Sequence, residues 1–267
     1  RSIGTGLGEG IFSGFAFDRD ELDSAAVSQW TRFSVEADFT EGVTTYIEFD
    51  HVGVWGTTFR SNYVTGVDAA GADAVKLYQA YIQTNEMFDR PLSLRLGRQE
   101  LRLGSEWLSG GNDDGPAPSW GLSFDGARAT YGLDDITIDA WAMKLAEDTT
   151  GEQDGDTNFY GVYGSYTGIE NITLDAYWMY IHDGRSLNDT TGSILTEGIE
   201  EFFGVDAYEP NRLHTVGLRT SAVFGRWDLE AELAYQFGDA SQAGSLFRPV
   251  FYGDDSADYD NLGLNLQ

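Results

Sequence analysis

The side chains able to do chemistry in this chain are mostly acidic: 44 Asp and Glu against 16 Lys and Arg and three His, for a formal net charge of -28. Their spacing does not assemble a reaction centre. His51, His182 and His214 stand far apart. None lies in an H-E-x-x-H arrangement, which sets two imidazoles on one helix face to hold a metal. Each reads as an interface or loop histidine. Cysteine is absent, which removes thiolate metal sites, cysteine nucleophiles and disulfides. No G-x-S-x-G elbow or P-loop occurs. Gly6-Leu7-Gly8-Glu9-Gly10 resembles part of a dinucleotide loop but lacks the βαβ unit that would place a helix N-terminus beneath a pyrophosphate. Carboxylate pairs are abundant, but 44 acids bring two together by chance, so a hydrolytic acid–base pair carries no particular signal. No catalytic residue, metal or cofactor is assigned, and the chain reads as a non-enzyme. The shortage of clustered Lys and Arg also excludes nucleic acid as a partner.

The few cations are more informative. Arg95 alternates with Leu92, Leu94 and Leu96, and Arg32, Arg128 and Arg219 sit in similarly alternating runs. The acids Glu36, Asp38, Glu48, Asp139, Asp175, Glu230 and Glu232 follow the same rule. From Trp227 to Phe237, Trp227, Leu229, Ala231, Leu233, Tyr235 and Phe237 fall on one face of an extended chain, and Asp228, Glu230, Glu232, Ala234 and Gln236 on the other. The design recurs in Phe33/Val35/Ala37/Phe39, in Val43/Thr45/Ile47/Phe49, in Ile136/Ile138/Ala140/Ala142 and in Ile172/Leu174/Ala176/Trp178/Tyr180. The run of about 11 residues from Trp227 is what a tilted strand needs to cross a bilayer.

Rich aromatics and Gly, with only 5 Pro, favour strands and turns. Mean hydropathy is low, -0.32. No stretch approaches the ~18 apolar residues of a membrane helix, but a barrel strand exposes only every second residue to lipid. Connections alternate short and long. Short turns fall near Thr40-Glu41-Gly42, 85–90, Leu133-Asp134, 168–171 and Gly225-Arg226, and long polar loops near 56–73, 104–120, 147–157, 184–210 and 239–258. That asymmetry is the outer-membrane pattern of periplasmic turns and extracellular loops, which a soluble sandwich does not need.

The expected fold is therefore all-β, a single antiparallel transmembrane β-barrel over 1–267 in the bacterial outer membrane. A first strand at 10–18 is followed by hairpins 28–39/43–55, 74–85/92–103, 121–132/135–146, 157–167/172–183 and 212–224/227–238. These make about eleven strands of an expected 16–18, with the chain continuing past Gln267 and Arg1 following a removed leader. Leu195, Ile199, Phe202 and Phe203 suggest a short helix at 193–205, packed on its own loop or folded over the mouth or into the lumen.

An arginine facing lipid at mid-membrane costs roughly 2–4 kcal/mol, so Arg32, Arg95, Arg128 and Arg219 are expected to face a lumen with the acids named above. There they either set the charge selectivity of a pore or neutralise one another as structural pairs. The expected role is a passive diffusion channel for ions or small hydrophilic solutes. The alternative is a structural or surface-binding barrel with a closed pore. Expected partners are outer-membrane lipid and lipopolysaccharide. Acidic loop clusters such as Asp113-Asp114 and Asp254-Asp255 read as solvated surface, with divalent cations the more specific partner they allow.

One stretch carries a family likeness. Gly97-Arg98-Gln99-Glu100, then Phe124-Asp125-Gly126-Ala127-Arg128, with Gln79-Ala80-Tyr81 on the preceding strand and Gly104 and Trp120 between, resembles the alginate-export family of outer-membrane porins. The resemblance implies a monomeric barrel of about 18 strands that passes anionic polysaccharide or small solutes. It marks Arg98, Glu100, Asp125 and Arg128 as motif residues.

Overall fold

The computed structural model describes residues 28–40, 42–54, 75–111, 121–147, 156–184, 210–241 and 256–267. The expected strand at 10–18, the helix at 193–205 and the acidic loop clusters lie outside the described residues. Eleven strands follow one another: β1 (Ser28–Thr40), β2 (Val43–Val54), β3 (Lys76–Thr84), β4 (Leu92–Gln99), β5 (Phe124–Leu133), β6 (Ile136–Ala146), β7 (Thr157–Ile169), β8 (Ile172–Asp183), β9 (Asn211–Phe224), β10 (Trp227–Ser241) and β11 (Ser256–Leu266). They form one antiparallel sheet in which each strand neighbours the next in sequence. Among the described residues no ladder joins β11 back to β1.

This meander follows from the turn chemistry. Phe224 pairs with Trp227 across the two-residue link Gly225-Arg226, and Gly225 takes a φ of +65, which glycine adopts without steric cost. Between β3 and β4 a single 3₁₀ turn, Met87–Asp89, closes the hairpin. The long connections all leave the far ends of β2, β4, β6, β8 and β10.

Two differences from the sequence expectation stand out. Residues 101–103 continue the Leu–Arg–Leu alternation, but β4 stops at Gln99 and the chain turns away. At the other end, 256–266, placed partly in a long loop by its polar residues, is β11, which pairs with β10 from Ala231↔Leu266 to Ser241↔Ser256.

The chain divides into two compact units. The first comprises Arg1–Phe33, Phe49–Lys76 and Asp113–Trp120, and the second Ser34–Glu48, Leu77–Asn112 and Gly121–Gln267. In the second unit the alternation in the sequence becomes a two-faced sheet. Leu218 (63%), Trp227 (61%), Leu229 (51%) and Leu233 (45%) stay open to the surroundings, while Glu232, Asp175 and Asp139 on the opposite face are buried. Water-soluble folds place apolar side chains under cover, so an exposed sheet face of Leu, Val, Trp and Phe matches a lipid surround.

The covered apolar residues are few and lie on the charged face. Trp141, Met143, Phe159, Tyr163, Tyr177 and Met179, from β6, β7 and β8, pack with Leu101 and Leu103 from the segment after β4.

Candidate functional site

The charged face of the second unit is built from cross-strand neighbours. Glu48 on β2 is buried and accepts hydrogen bonds from Gln79 Nε2 (2.8 Å) and the Tyr46 hydroxyl (3.1 Å). Tyr46 stacks on Tyr81 of β3 with ring centroids 5.3 Å apart. The Arg95 guanidinium lies 4.2 Å over the Tyr81 ring and donates twice to Gln83 Oε1, at 2.8 and 2.7 Å.

Arg95 stands directly opposite Arg128 in the β4–β5 register. Like charges in that position repel, and each arginine turns to a different neighbour. Arg95 leans back to β3, while Arg128 Nε donates to Asp139 Oδ1 of β6 at 2.8 Å. Further along, Arg219 of β9 bridges Asp175 of β8 (2.5 Å) and Glu230 of β10. Glu232 accepts the Tyr177 hydroxyl at 2.8 Å. Of the remaining residues expected on this face, Asp38 accepts from Thr44 Oγ1 at 2.8 Å, and Glu36 is exposed on β1.

The first unit has a charged group of its own. Asp50, 1% exposed, accepts from Trp30 Nε1 at 2.6 Å and faces Arg32 Nε at 3.6 Å. The Arg32 guanidinium lies 4.3 Å over the Trp30 ring.

Sequence reasoning missed the segment after β4. Residues 100–111 fold over the charged face, where the sequence expectation had 100–103 extending the strand and 104–111 in a long loop. Leu101, fully buried at 0%, and Leu103 enter the aromatic cluster of β6–β8. Ser105 Oγ donates to Glu232 Oε2 at 2.6 Å, which ties the segment to β10. Trp107 reaches β11, where a Cβ on Gly263 would sit 2.8 Å from its ring. Arg102 pairs with Glu100 (2.8 Å) and Glu106 (3.1 Å), and Glu100 also accepts from the Tyr78 hydroxyl. Backbone bonds from Leu103 N to Ser109 O and from Glu106 N to Leu103 O shape the fold-back. Gly104 makes the close approach feasible: its φ is +53, and a Cβ there would lie 2.6 Å from the Tyr163 hydroxyl. In the sequence Gly104 stands at the start of the expected long loop, and the Leu–Arg–Leu run just before it carries a strand period.

The motif residues splice β4 to β5. Gly97 opposes Gly126. Gln99 is buried, with Nε2 donating to Gly126 O at 3.2 Å. Phe124 packs against the aromatic cluster. Arg98 forms a two-pronged pair with Asp125 (2.8 and 2.7 Å) near the long-loop end of the strands. Both side chains are largely exposed, so the pair adds little stability by itself. Among the described residues no group of His, Asp and Glu has metal-ligand geometry.

In structure this chain is similar to a Pseudomonas aeruginosa protein, OccD3 (OpdP), at 15% identity and a TM-score of 0.37, with 83% of this chain and 55% of that one covered. The chain thus spans about half the length of OccD3. Two mutant structures of a Rh. blastica porin align at 11% identity and TM-scores of 0.36 and 0.35, with 89% of each chain covered. No curated protein sequence matches. The family model described as "Alginate export" matches residues 17–255, nearly the whole described sheet. With that match over strands that are apolar on one face and charged on the other, the chain belongs to the alginate export family of bacterial outer-membrane β-barrels.

Proposed function

We propose that the charged face lines an aqueous path and that the protein is a passive diffusion channel for ions and small hydrophilic solutes, narrowed by residues 100–111. The observation that carries this reading is the charged face of the second unit, where acids and arginines from β2 to β10 share one side of the sheet. A charged segment crosses the polar face from β4 to β10 and is held there by Leu101, Leu103 and the Ser105–Glu232 bond.

Pore walls bearing both signs of charge select by charge and size. Here the acids are in surplus: among the described residues of the second unit, Glu48, Glu100, Glu106, Asp139, Asp175, Glu230 and Glu232 share this face with Arg95, Arg102, Arg128 and Arg219. The field of such a wall favours cations. The family description names alginate, a polyanion, and a wall of this sign opposes its passage. No covalent step is needed for this role.

The test is single-channel recording of the full chain in a planar bilayer under a salt gradient. The native channel should conduct with a reversal potential on the cation side, and Arg128→Ala should move it further that way by releasing Asp139. Folded protein that stays silent would instead support the second reading, a closed structural barrel, which the tight docking of 100–111 favours.

A further inference from the structure

The apolar face of β7–β10 carries a feature that channel function does not use. Tyr160, Tyr180, His214 and Phe237 occupy consecutive cross-strand positions. They stack in one line with centroids 6.2, 4.4 and 5.0 Å apart. Trp178 joins the line from below, its indole Nε1 donating to His214 Nδ1 at 3.3 Å. Amphipathic rings in such a row mark the boundary between hydrocarbon and headgroups.

The strand geometry agrees. From Phe237 to Trp227, at the turn end of β10, a strand rising about 3.3 Å per residue and tilted ~40° climbs roughly 25 Å, the height of an outer-membrane apolar band. One step beyond the rings, towards the long loops, the next outward-facing positions in register are Asn158, His182 and Arg212. They stand about 5 Å above the ring line along the membrane normal. Tyr180 meets His182 edge-on, which steadies the imidazole. Arg212 is exposed and stands opposite Asp239 in the ladder. Lys144, the next residue of the row on β6, is held by Glu147 and Asp156.

We propose that Arg212, His182 and Asn158 form a binding row for the phosphate of an outer-leaflet glycolipid headgroup. Three arguments converge on that occupant. Hydrocarbon covers the ring line immediately below. The row lies at headgroup depth. It also presents a guanidinium, an imidazole and a carboxamide, all hydrogen-bond donors to phosphate oxygens, in a chain that otherwise repels anions. The inference stands whether or not the channel conducts.

The test uses the full chain folded in detergent, titrated with a phosphorylated outer-leaflet glycolipid or its dephosphorylated form, with bound lipids counted by native mass spectrometry. A basic side chain near a charged surface contributes about fivefold in affinity. Arg212→Gln should therefore weaken retention of the phosphorylated lipid about fivefold, and adding His182→Gln should weaken it further. Arg212→Lys should restore most of it, and the dephosphorylated lipid should bind native protein no better than the double variant does. Both side chains face outwards, and folding is checked by heat-modifiable gel migration; Arg212→Gln alone serves if the double variant does not fold. Equal retention of the two lipids, native-like binding by Arg212→Gln, or stabilisation by inorganic phosphate alone to the same extent as by lipid would overturn the assignment.

Discussion

Leu101→Ala is the substitution that most directly separates the fold-back from the sheet carrying it. Leu101 is wholly buried, wedged among Trp141, Met143, Phe159 and the Tyr163–Tyr177 stack. Those neighbours belong to sheet strands and cannot collapse into the space it leaves. A Leu→Ala change at such a site costs about 3–5 kcal/mol. The sheet keeps its backbone ladders, so the loss falls on the docking of residues 100–111. At about 1.4 kcal/mol per tenfold, the docked-to-free ratio drops by at least about 100-fold. Two readouts follow. Single-channel conductance and open-channel noise should rise as the segment leaves the charged face. Limited trypsin digestion should also cut after Arg102 faster, because the freed segment can enter a protease site. Ser105→Ala removes the hydrogen bond to Glu232, worth about 1.5–3 kcal/mol for a charged acceptor, together with the longer bond the hydroxyl accepts from Trp107 N, and should act in the same direction less strongly. Leu101→Ala protein that folds, conducts as the native does and is cut after Arg102 at the native rate would refute the argument that buried Leu101 holds the segment down.

Two further substitutions test the faces of the sheet. Gly217→Ala puts a methyl 2.2 Å from Tyr177 Cζ, displacing a ring that stacks on Tyr163 and donates to Glu232; the overpacking should cost about 1–3 kcal/mol, seen as a lower unfolding midpoint in urea. Leu233→Arg, midway along the apolar face of β10, should destabilise the vesicle-inserted protein by about 2–4 kcal/mol, and Phe237→Arg at the ring line by about 0–1; equal costs at the two positions would place the membrane boundary elsewhere.

How much of this was legible beforehand differs from element to element. Arg128 and Asp139, or Arg219 with Asp175 and Glu230, could be assigned to one face by parity alone, because a strand turns successive side chains to opposite sides. Parity could not say that Arg95 and Arg128 meet head-on, since register between strands depends on turn geometry and pairing. Nor could it say that each finds a different partner.

The alternation of residue types along single strands thus determined the two-faced sheet, its apolar side and the hairpin order from local chemistry. It misread residues 101–103 and 256–258, where a local period was a poor guide. Leu101 and Leu103 obey strand spacing yet leave the strand, because their burial is satisfied by an aromatic cluster contributed from β6–β8. The stacked row from Tyr160 to Phe237 was likewise invisible, because its members are scattered over nearly eighty residues of sequence and become neighbours only through strand register. What the chain alone decided was periodic and local. What tertiary structure decided was the contacts between distant residues, whose energies depend on partners no local window contains.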